Sequence, residues 1–136
     1  MKIHHYDSSL VIPYISAKLG RPARDPEGNE KNKRAFDFVT SNRAFARISV
    51  ATYAEVTRHF RGDEAAQEYM RAFGSPLQLT QLHARRWARL QNRSRLVMGD
   101  NDAWNAALAI AENATLVAHD KAFDKRPGLD YLDFMK

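Results

Sequence analysis

Short apolar segments of strand character alternate with helical segments along this chain, and no other feature of the sequence limits its fold as strongly. Residues 3–6 read as a first strand, followed at once by a helix from residue 8 or 9 to 19. Residues 30–41 read as a second helix. Residues 47–50 read as a strand running into a helix that continues through Phe60 and stops near Gly62. Asp63 is a fitting N-cap for a further helix ending near Gly74. Residues 77–80 are a third strand candidate, with an arginine-rich helix over 81–95 behind it. Asp100 opens an alanine-rich helix to Asn113. Residues 115–118 form the clearest strand, and residues 129–134 a last edge strand after Pro127-Gly128. Strands separated by helices need crossover connections, so the expected fold is a three-layer α/β/α sandwich around a mostly parallel sheet. In such sheets the reactive groups gather beyond the carboxyl ends of the strands. Asp7 and Asp120 each stand just after a predicted strand.

The 136 residues are expected to form a single domain, 1–136. The loop over 20–29, with Pro22, Pro26, Gly20 and Gly28, interrupts helix and strand alike, but lies too near the N-terminus to divide two domains. The chain has no cysteine, which excludes disulfides, thiolate metal sites and a cysteine nucleophile. Together with an opening that does not resemble a signal peptide and the lack of a membrane-spanning apolar run, this makes the cytoplasm the expected compartment. Twenty-one Lys and Arg against sixteen Asp and Glu leave a formal charge of +5, a modest excess that suits a polyanionic partner.

Four acids stand where a single cleft can collect them. Asp7 follows the first strand and Asp120 the 115–118 strand. Glu55 sits on the helix after the second strand, and Asp102 in the first turn of the alanine-rich helix. Carboxylate-only clusters suit hard cations such as Mg²⁺ or Mn²⁺, and crowded carboxylates repel one another until a cation joins them. Each acid has a plainer reading. Asp7 and Asp102 are equally good helix caps, and Asp120 an ordinary turn residue. Glu55 lies off the apolar face that a helical wheel assigns to Tyr53, Ala54, Val56, Thr57 and Phe60, which fits a cleft but fits solvent better.

The motifs carry a family resemblance. Tyr6-Asp7-Ser8-Ser9-Leu10-Val11-Ile12 resembles the opening of the PIN domain. Ser49-Val50-Ala51-Thr52-Tyr53-Ala54-Glu55-Val56 is similar to its second motif, and Asp100-Asn101-Asp102-Ala103-Trp104-Asn105-Ala106-Ala107-Leu108-Ala109 to its third. Thr115-Leu116-Val117-Ala118-His119-Asp120-Lys121-Ala122-Phe123 resembles the fourth, with Pro127-Gly128-Leu129 behind it. The four stand in family order from Tyr6 to Leu129. The resemblance implies a metal-dependent endoribonuclease in which Asp7, Glu55, Asp102 and Asp120 hold Mg²⁺ or Mn²⁺, with Ser9 supporting them or the substrate phosphate. It further implies a VapC-type toxin that cleaves RNA, is silenced by a cognate antitoxin protein and forms a homodimer. Two positions depart from the pattern: Ala118 stands where Thr is common, and Asn105 where an aliphatic residue is usual.

Between Leu82 and Arg95 the chain carries five arginines and no acid. Arg85, Arg89 and Arg93 fall on one helical stripe, either an RNA-backbone track or a solvated face. His4 and His5 point to opposite faces of a strand and cannot chelate one ion together. Trp87 and Trp104 read as core or interface residues. Two rival functions remain: an RNA-processing nuclease of the same chemistry, and a non-catalytic RNA- or protein-binding module. A phospho-acceptor domain would also place an Asp after a strand, but leaves Glu55 without a role.

Overall fold

The computed structural model describes residues 2–93 and 98–136, with Arg93 described by its backbone alone. Four strands, β1 (His4–Tyr6), β2 (Ala46–Arg47), β3 (Thr115–Ala118) and β4 (Asp130–Asp133), form a sheet in the order β2-β1-β3-β4. Every pairing is parallel, with His5 beside Leu116, Tyr6 beside Val117 and Thr115 beside Asp130. Six α-helices surround it: α1 (Ser8–Lys18), α2 (Pro26–Asn42), α3 (Val50–His59), α4 (Glu64–Arg71), α5 (Gln81–Arg93) and α6 (Asp100–Ala111).

The central strands β1 and β3 bury both faces, as a parallel sheet covered by helices requires. Tyr6 and Val117 face a core built with Leu10, Val11 and Ile15 of α1, Ala35 and Val39 of α2, Val56 of α3 and Met70 of α4. Leu116 and Ala118 face the other way, onto Ala103, Ala106 and Ala109 of α6, Phe123, and the half-buried Trp87 and Leu90 of α5. The expected three-layer α/β/α sandwich is therefore present. From β1 the chain passes to one side to make β2, and later returns to lay β3 on the other side of β1. The carboxyl ends of β1 and β3 thus flank the switch point of the sheet, where a crevice forms in doubly wound folds.

Local chemistry sets the element ends. Asp25 caps α2 by accepting the Gly28 N–H at 2.7 Å, and Pro26 fills the first helical position, where its missing N–H costs nothing. The helix expected from residue 30 therefore begins four residues earlier, inside the segment read as a loop. Gly28 is needed there, because a Cβ would sit 2.5 Å from the Ala23 Cβ. Strand character over 47–50 ends sooner than expected, since Ser49 turns the chain and caps α3. The strand expected over 77–80 is absent: Leu77 makes only an isolated parallel bridge to Ser49. His4 stacks on Phe38, while His5 faces Glu112 beyond α6, on opposite sides of the sheet as the alternation requires. No helix among the described residues is long and apolar enough to cross a membrane.

Candidate metal centre at the carboxyl end of the sheet

Asp7 begins the site. Its backbone N–H pairs with Val117 O at 3.0 Å, which makes it the last group held by the sheet, and its side chain caps α1 by accepting the Ser9 N–H at 3.1 Å. It is 2% exposed. A carboxylate so buried needs hydrogen-bond donors, and its second oxygen takes one from Asn105 Nδ2 at 2.8 Å. The capping read from the sequence is thus present, on a buried carboxylate whose charge also bears on Glu55 and Asp102.

Glu55 lies on α3, one turn beyond the buried Thr52. The buried side of this helix is Ala51, Thr52 and Val56, with Phe60 at its end. Tyr53 and Ala54, assigned to the apolar face from the wheel, are exposed instead. That rotation brings Glu55 inward, half-buried, with Oε1 lacking a hydrogen-bond partner among the described residues. Burial, and then repulsion from Asp7, raise its carboxyl above the usual range, while polar groups of Asn101 and Ser8 and the charge of Arg58 oppose the rise.

Asp102 stands in the first turn of α6, whose N-cap Gly99 offers no side chain to the helix N–H groups. The positive end of the helix dipole suits the two acids there, Asp100 and Asp102. Burial is nevertheless the largest influence on Asp102, followed by the charges of Asp7, Asp120 and Glu55, and together they push its carboxyl up to about 7. Asp120 is exposed beyond β3, where it caps a 3-10 turn over Lys121–Phe123 by accepting the Ala122 N–H at 2.9 Å. Its backbone N–H donates to the Tyr131 hydroxyl at 3.1 Å. Ser9 ties these two sides together, since its hydroxyl oxygen accepts the His119 N–H at 3.1 Å.

Four acids from four separate segments thus act on one another at the switch point. No group of three or more His, Asp or Glu among the described residues closes into a cage for an ion. The donor set still fits a hard cation. Mg²⁺ is commonly held by one or two carboxylates and keeps several waters, and an unpartnered Glu55 oxygen beside a strained Asp102 is the state that a cation relieves.

Several groups at this site escape notice in the sequence. Ser49 and Thr52 precede Glu55 at helical spacing of three, which is the signal that would have found them. Ser49 Oγ caps α3 and donates to Asn105 Oδ1 at 2.6 Å, and Thr52 Oγ1 donates to Tyr6 O at 3.1 Å. Where a Thr at position 118 would have supported the end of β3, Ala118 is fully buried in the α6-side core and Tyr131 holds the exit instead. Arg85 and Arg89 are exposed on α5. The third member of that stripe, Arg93, has its side chain outside the described residues, as Arg95 does altogether. Helix α5 reaches the acidic end: Trp87 stacks on Trp104 at 5.5 Å and donates to Asp100 O at 3.3 Å.

Comparison with known proteins agrees with this geometry. The family model described as the PIN domain matches residues 23–129. No curated protein matches the chain by sequence. Among solved structures, DNA-bound VapBC from Salmonella typhimurium is similar over 98% of this chain and 99% of that one, with a TM-score of 0.76 and 17% identity. VapBC2 from Rickettsia felis, bound to a promoter DNA fragment, gives a TM-score of 0.72 at 18% identity, covering 96% and 97% of the two chains. FitAcB from Neisseria gonorrhoeae gives 0.71 at 15% identity, covering 98% and 99%. At these identities the likeness establishes the fold.

Proposed function

The chain belongs to the PIN-domain family, and we propose that it is a metal-dependent endoribonuclease, the toxin of a toxin–antitoxin pair. The observation that carries this reading is the gathering of the four acids at the switch point of the sheet, where the charges of Asp7, Asp120 and Glu55 all bear on Asp102. Their carboxylates are the ligands of Mg²⁺ or Mn²⁺. When bound, such a cation neutralises the scissile phosphate and favours ionisation of the attacking water. The protein does the positioning. Asp7 is fixed by the sheet and by Asn105, Glu55 and Asp102 approach on two helices, and Ser9 pins the β3 exit against the start of α1. Arg85 and Arg89 lie exposed on α5, which runs towards the same end; they, and Arg93 with them, are proposed to hold the RNA backbone by phosphate contacts, which fix position and carry no sequence information.

The toxin role and the antitoxin partner are proposed from the likeness to toxin–antitoxin complexes, among them one from Klebsiella pneumoniae. A homodimer in the cytoplasm completes the reading.

The test is cleavage of pooled structured RNAs by the purified protein with Mn²⁺, with EDTA, and with Asp7→Asn and Asp102→Asn. Cutting that needs the metal and is lost in both folded variants supports the nuclease. RNA binding that survives both variants without any cleavage makes the chain a binding module instead. Growth arrest on induced expression, rescued by a co-expressed neighbouring gene, separates a toxin from an RNA-processing enzyme.

A further inference from the structure

One of the two residues that depart from the family pattern, Asn105, sits at the centre of the site. We infer that Asn105 is a positioning residue that holds Asp7 in its ligating orientation and fixes α3 and α6 around it. The inference rests on the reading of Asp7 as a metal ligand. Asn105 is 3% exposed, and the groups around it, Asp7, Ser49 and Thr52, are buried to the same degree. One hydrogen of its amide goes to Asp7 Oδ1 at 2.8 Å and the other to Thr52 Oγ1 at 3.0 Å, while its carbonyl accepts from Ser49 Oγ at 2.6 Å. Thr52 passes its own hydroxyl hydrogen to Tyr6 O, the last carbonyl of β1, and Ser49 Oγ receives the Thr52 N–H at 3.1 Å.

Every donor in this ring is used. The amide has one possible orientation, because a carboxylate only accepts and its neighbour must therefore be the NH₂ group. The ring spans three elements: the β1–α1 junction that carries Asp7, the helix that carries Glu55, and the helix that carries Asp102. An aliphatic residue at 105 would pack here, yet leave Asp7 Oδ1 and the Ser49 hydroxyl without these partners in a water-poor place. Groups that orient a ligating carboxylate in this way commonly matter about 10–100-fold in metal affinity.

The probe is Mn²⁺ alone, titrated calorimetrically into the full chain at pH 8, beside the Tm of each metal-free protein. Asn105→Leu is expected to weaken Mn²⁺ binding about 10–100-fold, and to lower kcat on RNA with KM for RNA nearly unchanged. Ser49→Ala, which keeps the amide and removes its clamp, is expected to weaken Mn²⁺ several-fold. A purely packing role for Asn105 would lower Tm and leave the Mn²⁺ affinity of the folded protein within twofold of wild type, which overturns the inference. If Asn105→Leu does not fold, an unchanged affinity in Ser49→Ala overturns it as well. Asp7→Asn separates the two levels. Loss of Mn²⁺ in Asp7→Asn with normal binding in Asn105→Leu sinks the positioning role only. A wild type that binds no Mn²⁺, or binds it no better than Asp7→Asn does, removes the metal reading and this inference together.

Discussion

At the scale of single residues, the metal-free site stores repulsion that can be measured. Asp102 titrates near 7 in the fold but near 3.9 in an unfolded chain. Below about pH 4 both states hold the proton and nothing is lost. Above 7 the folded state carries the whole penalty, because the unfolded chain ionises freely. Asp102→Asn should therefore raise the Tm of the metal-free protein at pH 8 by roughly 3–8 °C, given the part of the carboxylate that remains solvated. Thermal scans below pH 4 should show no difference. Mn²⁺ must displace the same proton, so its affinity for wild type should climb about tenfold per unit up to pH 7 and level off above it. His5 has the opposite sign. Its burial first, and then the charges of Arg47 and His83, lower it to about 4, and prevail over the exposed Glu112 carboxylate 3.2 Å from its Nε2. The unfolded chain gains a proton from pH 6.5 downward while the folded one refuses it. Urea midpoints of wild type and His5→Leu, compared between pH 7 and 4, should diverge by up to about 3 kcal/mol in favour of the variant at the acid end. A constant difference across that range would show that His5 titrates normally.

At the scale of elements, α6 decides how close Asp102 and Asn105 come to the sheet. Its inner side is Ala103, Ala106, Ala107 and Ala109, all fully buried, and small side chains let the helix lie close on β3 and α5. Ala106→Leu should cost about 1–3 kcal/mol by overpacking, read as a lower denaturant midpoint, and should weaken Mn²⁺ as α6 is pushed outward. Full Mn²⁺ affinity in a destabilised Ala106→Leu protein would mean that the site tolerates movement of α6. Element type was legible in the sequence where a segment had both a period and a cap, as for α4 behind Asp63. It was not legible where one residue played against its reputation. Pro26 looks like a breaker but is a good first residue once Asp25 caps the helix. Leu77 sits in a strand-like stretch, yet pairs with Ser49 alone.

At the scale of the whole molecule, the +5 charge acquires a direction only through the fold. The acids gather at the switch point, and the α5 arginines lie along a helix that packs on α6 and ends near it. RNA held by backbone contacts should show a salt-dependent affinity, with Arg85→Glu and Arg89→Glu each lowering the slope of log K against log salt by about 1. Fluorescence anisotropy at several salt concentrations measures this. A slope that the two variants leave unchanged would return the stripe to an ordinary solvated face.

By itself the sequence determined the alternation of strands and helices and the parallel sandwich, and it put the four acids forward as candidates, because periodicity, caps and motif order are local and survive in one dimension. Only the tertiary structure decided that Asp7 is at once cap and buried carboxylate, that α3 turns Glu55 inward and Tyr53 outward, and that Asn105 joins three elements around Asp7. Those facts depend on which groups from positions 7, 49, 52 and 105 meet in space, and a buried polar group takes its meaning from the partners that satisfy it.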